Sequence, residues 1–153
     1  MSRRDLELRA KKELESEGWK VERAVSKAVF TPKGFVARSF DFFNCFDLIA
    51  VRESETRFIQ ITSSDVSART KKSNPNQSLN FRKRKIDELW DASLPDPEIF
   101  HYVKEENRWI RHRWIRINSK WSEIPDAITI AQNGSRLNET PSGSDISQGG
   151  RKK

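Results

Sequence analysis

Two short apolar runs with a polar stretch between them dominate the hydrophobic pattern: Phe46-Asp47-Leu48-Ile49-Ala50-Val51 and Arg57-Phe58-Ile59-Gln60-Ile61-Thr62. Each is rich in β-branched and aromatic residues and flanked by charge or Ser/Thr, the pattern of a buried strand. Glu53-Ser54-Glu55 has the length and polarity of a hairpin loop joining them. Side chains alternate faces along a strand, so Asp47, Ile49 and Val51 share one face of the first run and Phe58, Gln60 and Thr62 one face of the second. Asp47, Gln60 and Thr62 are thus polar groups in apolar strands, able to converge at one end of the hairpin. An Asp at a strand start is equally a turn or capping residue, and Gln or Thr in a strand equally a half-exposed position.

Upstream, residues 5–18 predict an amphipathic helix. Leu6, Ala10 and Leu14 fall at i, i+4 and i+8, Gly18 supplies a stop, and Ser2 or Asp5 a cap. Glu7 borders the buried stripe. Trp19, Val21 and Val25 begin a first strand, and residues 26–39 read as a basic loop punctuated by Gly and Pro, carrying Lys33 and Arg38. Asp41 stands among Phe40, Phe42 and Phe43; its surroundings favour the cap of a tight aromatic turn, with a second acidic ligand as the rival reading.

Downstream, residues 73–78 form a linker-like loop and residues 79–92 a second helix, with a mixed stripe of Phe81, Lys85, Leu89 and Ile86, Trp90. Arg82, Lys83, Arg84 and Lys85 lie on its exposed part, either as a solvated face or as phosphate contacts. Pro95 and Pro97 end that helix. Residues 99–103 read as a buried strand, 105–107 as a turn, and 108–117 as a strand whose one face holds Trp109, Arg111, Arg113, Ile115 and Ile117. That last strand suits a sheet edge kept soluble by Arg; its functional reading is a cationic strand with Trp109 or Trp114 stacked on unpaired bases. The chain thus divides into one domain over 1–130 and a tail, 131–153, too poor in apolar residues to order and basic at its end.

Composition narrows the partners. With 29 Lys+Arg against 22 Asp+Glu in 153 residues, the net charge of +7 favours polyanions. The single Cys45 excludes an intramolecular disulfide and a Cys-rich zinc site, and His101 and His112 lack ligand spacing and read as surface or strand residues. Residues 1–5 lead into a charged helix rather than a signal sequence, and no stretch reaches the ~20 apolar residues of a membrane span. A cytoplasmic location without membrane contact is expected.

The order of these parts resembles the restriction-endonuclease-like superfamily, the PD-(D/E)XK nucleases, and within it the archaeal-type Holliday junction resolvases. Glu7 precedes Gly18-Trp19 at the spacing of the family's helix Glu; Phe46-Asp47-Leu48-Ile49-Ala50 matches the Asp strand with Phe for Pro; Gln60-Ile61-Thr62 occupies the Glu-X-Lys position. The chain is also similar to short uncharacterised phage and bacterial proteins with a Gln-X-Thr variant of the motif. The resemblance covers roughly residues 3–90.

It implies an α/β fold of restriction-endonuclease-like type, a central mixed β-sheet flanked by helices, and Mg²⁺- or Mn²⁺-dependent hydrolysis of DNA, branched or single-stranded, with RNA left open and a homodimer allowed. Asp47 would be the central metal ligand, Gln60 a neutral carbonyl ligand, Ile61 a backbone ligand, Glu7 a ligand through water or a second ion, and Asp41 a secondary ligand. Thr62 replaces the motif Lys and carries no charge, so Lys71 or Lys72 would supply the cation that orients water. Lys33, Arg38, Arg69 and Arg82 to Lys85 would hold the nucleic acid. The alternative is a catalytically degenerate nucleic-acid-binding subunit of the same fold.

Overall fold

The computed structural model describes residues 1–65 and 76–125. Its first helix, α1 (Arg3–Ser16), begins in a capping box: the Ser2 hydroxyl accepts from the Asp5 backbone N–H while the Asp5 carboxylate accepts from the Ser2 backbone N–H. The first amides of a helix have no internal partner, which is why such a cap contributes about 1 kcal/mol. The helix therefore starts and ends two residues before the predicted 5–18, and Gly18 follows at φ +91°, a conformation that favours glycine. Leu6, Ala10 and Leu14 are buried as their spacing predicts, with Glu7 beside them.

Among the described residues eight strands follow in order, with one further helix: β1 (Lys20–Arg23), β2 (Ser26–Thr31), β3 (Gly34–Ser39), β4 (Leu48–Arg52), β5 (Glu55–Asp65), α2 (Gln77–Leu89), β6 (Glu98–Glu105), β7 (Arg108–Ile117) and β8 (Lys120–Ile124). Six of them make one sheet in the order β1-β4-β5-β6-β7-β8, antiparallel except for the β5–β6 pair, whose connection carries α2. This is an α/β fold with a central mixed sheet flanked by two helices, as expected. On one face, α1 packs Leu6, Ala10 and Leu14 against Val21, Leu48, Ala50, Ile59, Ile61, Phe100 and Tyr102. On the other, Leu79, Ile86 and Trp90 close over Phe46, Phe58 and Ile99. Cover on both faces explains why β4 and β5 read as nearly continuous apolar runs.

Several expectations are corrected. Residues 26–39 are a hairpin, not a loop: Pro32 and Gly34, which read as loop punctuation, belong to the turn, with Gly34 at φ +110°. Val25 lies beyond β1 and is exposed. Asp47 immediately precedes β4 instead of lying in it, although its N–H still donates to the Ile59 carbonyl at 3.0 Å. The buried stripe of α2 is Leu79 and Ile86, continued by Trp90 at its C-cap, while Phe81 and Leu89 are exposed. Strand β7 is not the edge; among the described residues β8 is, reached through a turn with positive φ at Asn118 and Ser119. Arg69, Lys71, Lys72 and the 131–153 segment lie outside the described residues. Among the described residues no helix is long and apolar enough to cross a membrane.

Candidate active site at the head of strand β4

Asp47 sits where the start of β4 meets the middle of β5. Its side chain is nearly fully buried, yet every carboxylate oxygen is engaged: Oδ2 accepts from the Ile61 backbone N–H at 2.7 Å and from the Gln60 amide, and Oδ1 accepts from Arg3 Nη2 at 2.7 Å. Burial pushes its pKa up to about 6, against the opposing Arg3 charge and Ile61 N–H, with Glu7 and Asp41 adding further upward pressure. Removal from water therefore outweighs the guanidinium.

Arg3 also lies across Glu7, Nε to Oε1 at 3.4 Å, one helical turn away, and Glu7 Oε2 takes Arg23 Nη1 from β1 at 3.1 Å. Glu7 and Asp47 thus line one cavity of about 350 Å³, together with Arg3, Arg23, Val25 and Asp41. Asp41 closes a turn through its carbonyl, which accepts from the Asn44 N–H at 2.9 Å, and its residue reaches the same cavity; turn and site roles coincide. Arg82 approaches from α2: burial lowers its pKa first, then the charge of Arg3, while Asp47 and Asp41 oppose. Glu7 and Asp47 are therefore paired with the guanidinium groups of Arg3 and Arg23, with Asp41 and Arg82 within electrostatic reach. Neither Arg3 nor Arg23 belongs to a motif that marks it as a site residue in the sequence. The i,i+4 spacing of Arg3 and Glu7 hinted at the first; nothing local marks the second.

Gln60 is fully buried behind Asp47. Its Nε2 donates both to Asp47 and to the Ile61 carbonyl, the latter at 2.9 Å, while Oε1 has no hydrogen-bond partner among the described residues. A buried, unpartnered amide oxygen costs about 1–3 kcal/mol. Turning the amide over would direct Oε1 toward two other oxygens, an arrangement that only a cation or a proton stabilises. The Asp47 carboxylate, the Ile61 carbonyl and the Gln60 amide oxygen are hard oxygen donors of the kind Mg²⁺ takes, and Mg²⁺ keeps waters in its remaining positions. These residues fit the ion as one carboxylate with neutral oxygens; no group of three His, Cys, Asp or Glu among the described residues is arranged to hold a metal. Thr62 is not drawn into this cluster: its hydroxyl pairs with Ser78 at the start of α2.

The basic residues separate. Lys33 and Arg38 are exposed on the β2–β3 hairpin. Arg82 feels the charges of the Asp47 site, Lys83 places Nζ 3.4 Å over the Trp114 ring, Arg84 is exposed, and Lys85 is half-buried with its charge felt at Cys45. Consecutive helical residues are about 100° apart, so this run does not present one face. His101, read as a surface or strand residue, is a buried strand residue with Nε2 2.8 Å from Ser64 Oγ. Comparison of the chain with protein-family models, with curated proteins and with solved structures gives no match.

Proposed function

We propose that the Asp47 site binds Mg²⁺ or Mn²⁺ and hydrolyses phosphodiester bonds in DNA, in the manner of the PD-(D/E)XK nucleases that the sequence resembles. The observation that supports this reading is the buried oxygen set: Asp47 Oδ2 and the Ile61 carbonyl share the Gln60 amide, whose own oxygen has no partner among the described residues. A bound divalent cation would lower the pKa of a water and neutralise charge on the scissile phosphate. Asp47 and Gln60 would hold it, Glu7 would act through water, and Arg3 and Arg82 would bring positive charge toward the phosphate. Lys71 or Lys72 is assigned the orientation of the attacking water on sequence grounds.

The second reading, a nucleic-acid-binding module without turnover, is favoured by the ion pairs that already neutralise Asp47 and Glu7 through Arg3 and Arg23. Single-turnover assays on branched, single-stranded and duplex DNA, and on RNA, with Mg²⁺ or Mn²⁺ separate the two. The hydrolase gives divalent-dependent cleavage that Asp47→Asn abolishes. Cleavage retained in Asp47→Asn removes Asp47 as the ligand, and no cleavage of any substrate with either ion leaves the binding module.

A further inference from the structure

The hairpin β2–β3 forms a two-stranded sheet of its own, outside the central sheet. Its register pairs Lys27 with Arg38, Val29 with Val36 and Phe30 with Phe35. Directly opposed residues of an antiparallel pair share a face, so the two phenylalanines occupy one face and the two cations the other. The Phe30 and Phe35 rings meet edge-on at 5.3 Å, yet they are 73% and 76% exposed. Lys27 and Arg38 are like charges placed opposite one another, an unfavourable pair on a ribbon. Between Glu22 and Asp41 the sequence contains Lys27, Lys33 and Arg38, along with Arg23, and no acidic residue.

The ribbon springs from the site. Val25 and Ser26 line the cavity that holds Glu7, Asp41 and Asp47, and the Phe40 N–H ties the far arm back to the Val25 carbonyl at 3.3 Å. Four residues of extended chain from Ser26 carry Phe30 and its partner Phe35 roughly 13 Å along the ribbon axis. A partner must therefore offer anionic charge for one face and flat apolar surface for the other. A second copy of this chain, itself at net +7, could cover the phenyl face but would leave the cations of the opposite face without an anionic partner. Duplex nucleic acid offers phosphates but keeps its base faces stacked. Unpaired bases on a phosphate backbone offer both.

We infer that the β2–β3 ribbon is a docking arm for nucleic acid with unpaired bases: Phe30 and Phe35 stack on bases while Lys27, Lys33 and Arg38 hold phosphates. This rests on the phosphodiester reading of the Asp47 site only in giving the arm's base its purpose, and it defines the substrate of that site as single-stranded or locally opened.

The test is binding in EDTA, where turnover plays no part. Affinities of the full chain for a labelled oligothymidylate and for a blunt duplex are measured by fluorescence anisotropy across a salt series. They are compared with Phe30→Ser/Phe35→Ser and Lys27→Gln/Arg38→Gln, all these side chains being exposed and replaceable without unfolding. The aromatic variant is expected to bind oligothymidylate about five- to a hundredfold more weakly with an unchanged salt slope, and the duplex nearly as wild type. The cationic variant is expected to flatten the slope by about 0.7 for each lost contact. Undiminished oligothymidylate binding by the aromatic variant overturns the arm. So does a wild-type dimer in sedimentation that this variant converts to monomer without loss of binding, which would make the phenyl pair a contact between copies. Ribbon-dependent binding without cleavage of any DNA keeps the arm and removes the hydrolase; cleavage insensitive to the ribbon variants does the reverse.

Discussion

Arg3, in the first turn of α1, places Nη2 2.7 Å from Oδ1 of Asp47 at the head of β4, joining a 43%-exposed guanidinium to a carboxylate of which 3% is exposed. The pair couples the position of the helix start to the most buried acid of the site. It also means that Asp47 is not an unpaired carboxylate awaiting a metal: its charge is held by Arg3, the Ile61 amide and Gln60.

Truncation at Asp47 should therefore destabilise the fold. Asp47→Ala leaves the Ile61 N–H, the Gln60 amide and Arg3 without their acceptor, and one buried donor orphaned costs about 1–3 kcal/mol. Asp47→Asn keeps the shape and one acceptor, so its unfolding free energy should stay closer to wild type. Urea denaturation of the three proteins measures this, and an alanine variant as stable as wild type would contradict the network.

Gln60→Glu tests the oxygen set. It replaces a donor facing Asp47 Oδ2 with an acceptor, so two acids must share the space. In EDTA the thermal midpoint should fall below wild type. Added Mg²⁺ should raise it more than it raises the wild-type midpoint, because a ligand bound only to the folded state stabilises in proportion to its affinity. A variant indifferent to Mg²⁺ would count against a cation at this position.

His101 makes stability depend on pH. Burial lowers its pKa to about 4, with His112 and Lys83 pushing the same way and Glu123 opposing, whereas the unfolded chain titrates it near the ordinary 6.5. Between these values the unfolded state binds more protons, so this contribution is complete above about pH 6.5 and is lost as pH falls toward 4. The loss is on the order of 3 kcal/mol. His101→Gln cannot take up this proton and should show a shallower decline in denaturation midpoint on acidification; an unchanged profile would assign the decline to other groups.

Glu98 carries two guanidinium groups. Arg57 binds it through Nε and Nη2 at 2.7 and 2.8 Å, and Arg113 Nε lies 2.6 Å from Oε1, with Glu98 itself 2% exposed. Glu98→Ala should destabilise by about 3 kcal/mol, since breaking a buried pair from one side strands its partner charges. Adding Arg57→Met should recover part of the loss in denaturant melts, and a fully additive double mutant would show that the groups do not interact.

The local patterns determined much of this protein. The Leu6, Ala10, Leu14 stripe specified α1, the two apolar runs specified β4 and β5 with their hairpin, and Pro95 and Pro97 followed the end of α2, because period and turn chemistry act within a few residues. The same hairpin brought Asp47 and Gln60 together, so the heart of the candidate site was legible. Tertiary structure decided the rest. Pro32 and Gly34 mark a loop and a hairpin turn alike, and only pairing of Lys27 with Arg38 and of Phe30 with Phe35 made residues 26–39 a ribbon. Whether β7 was an edge depended on β8 pairing beyond it. The Arg3–Asp47 and Arg23–Glu7 contacts join segments 44 and 16 residues apart, and no local periodicity encodes which cation will meet which acid once the chain has folded.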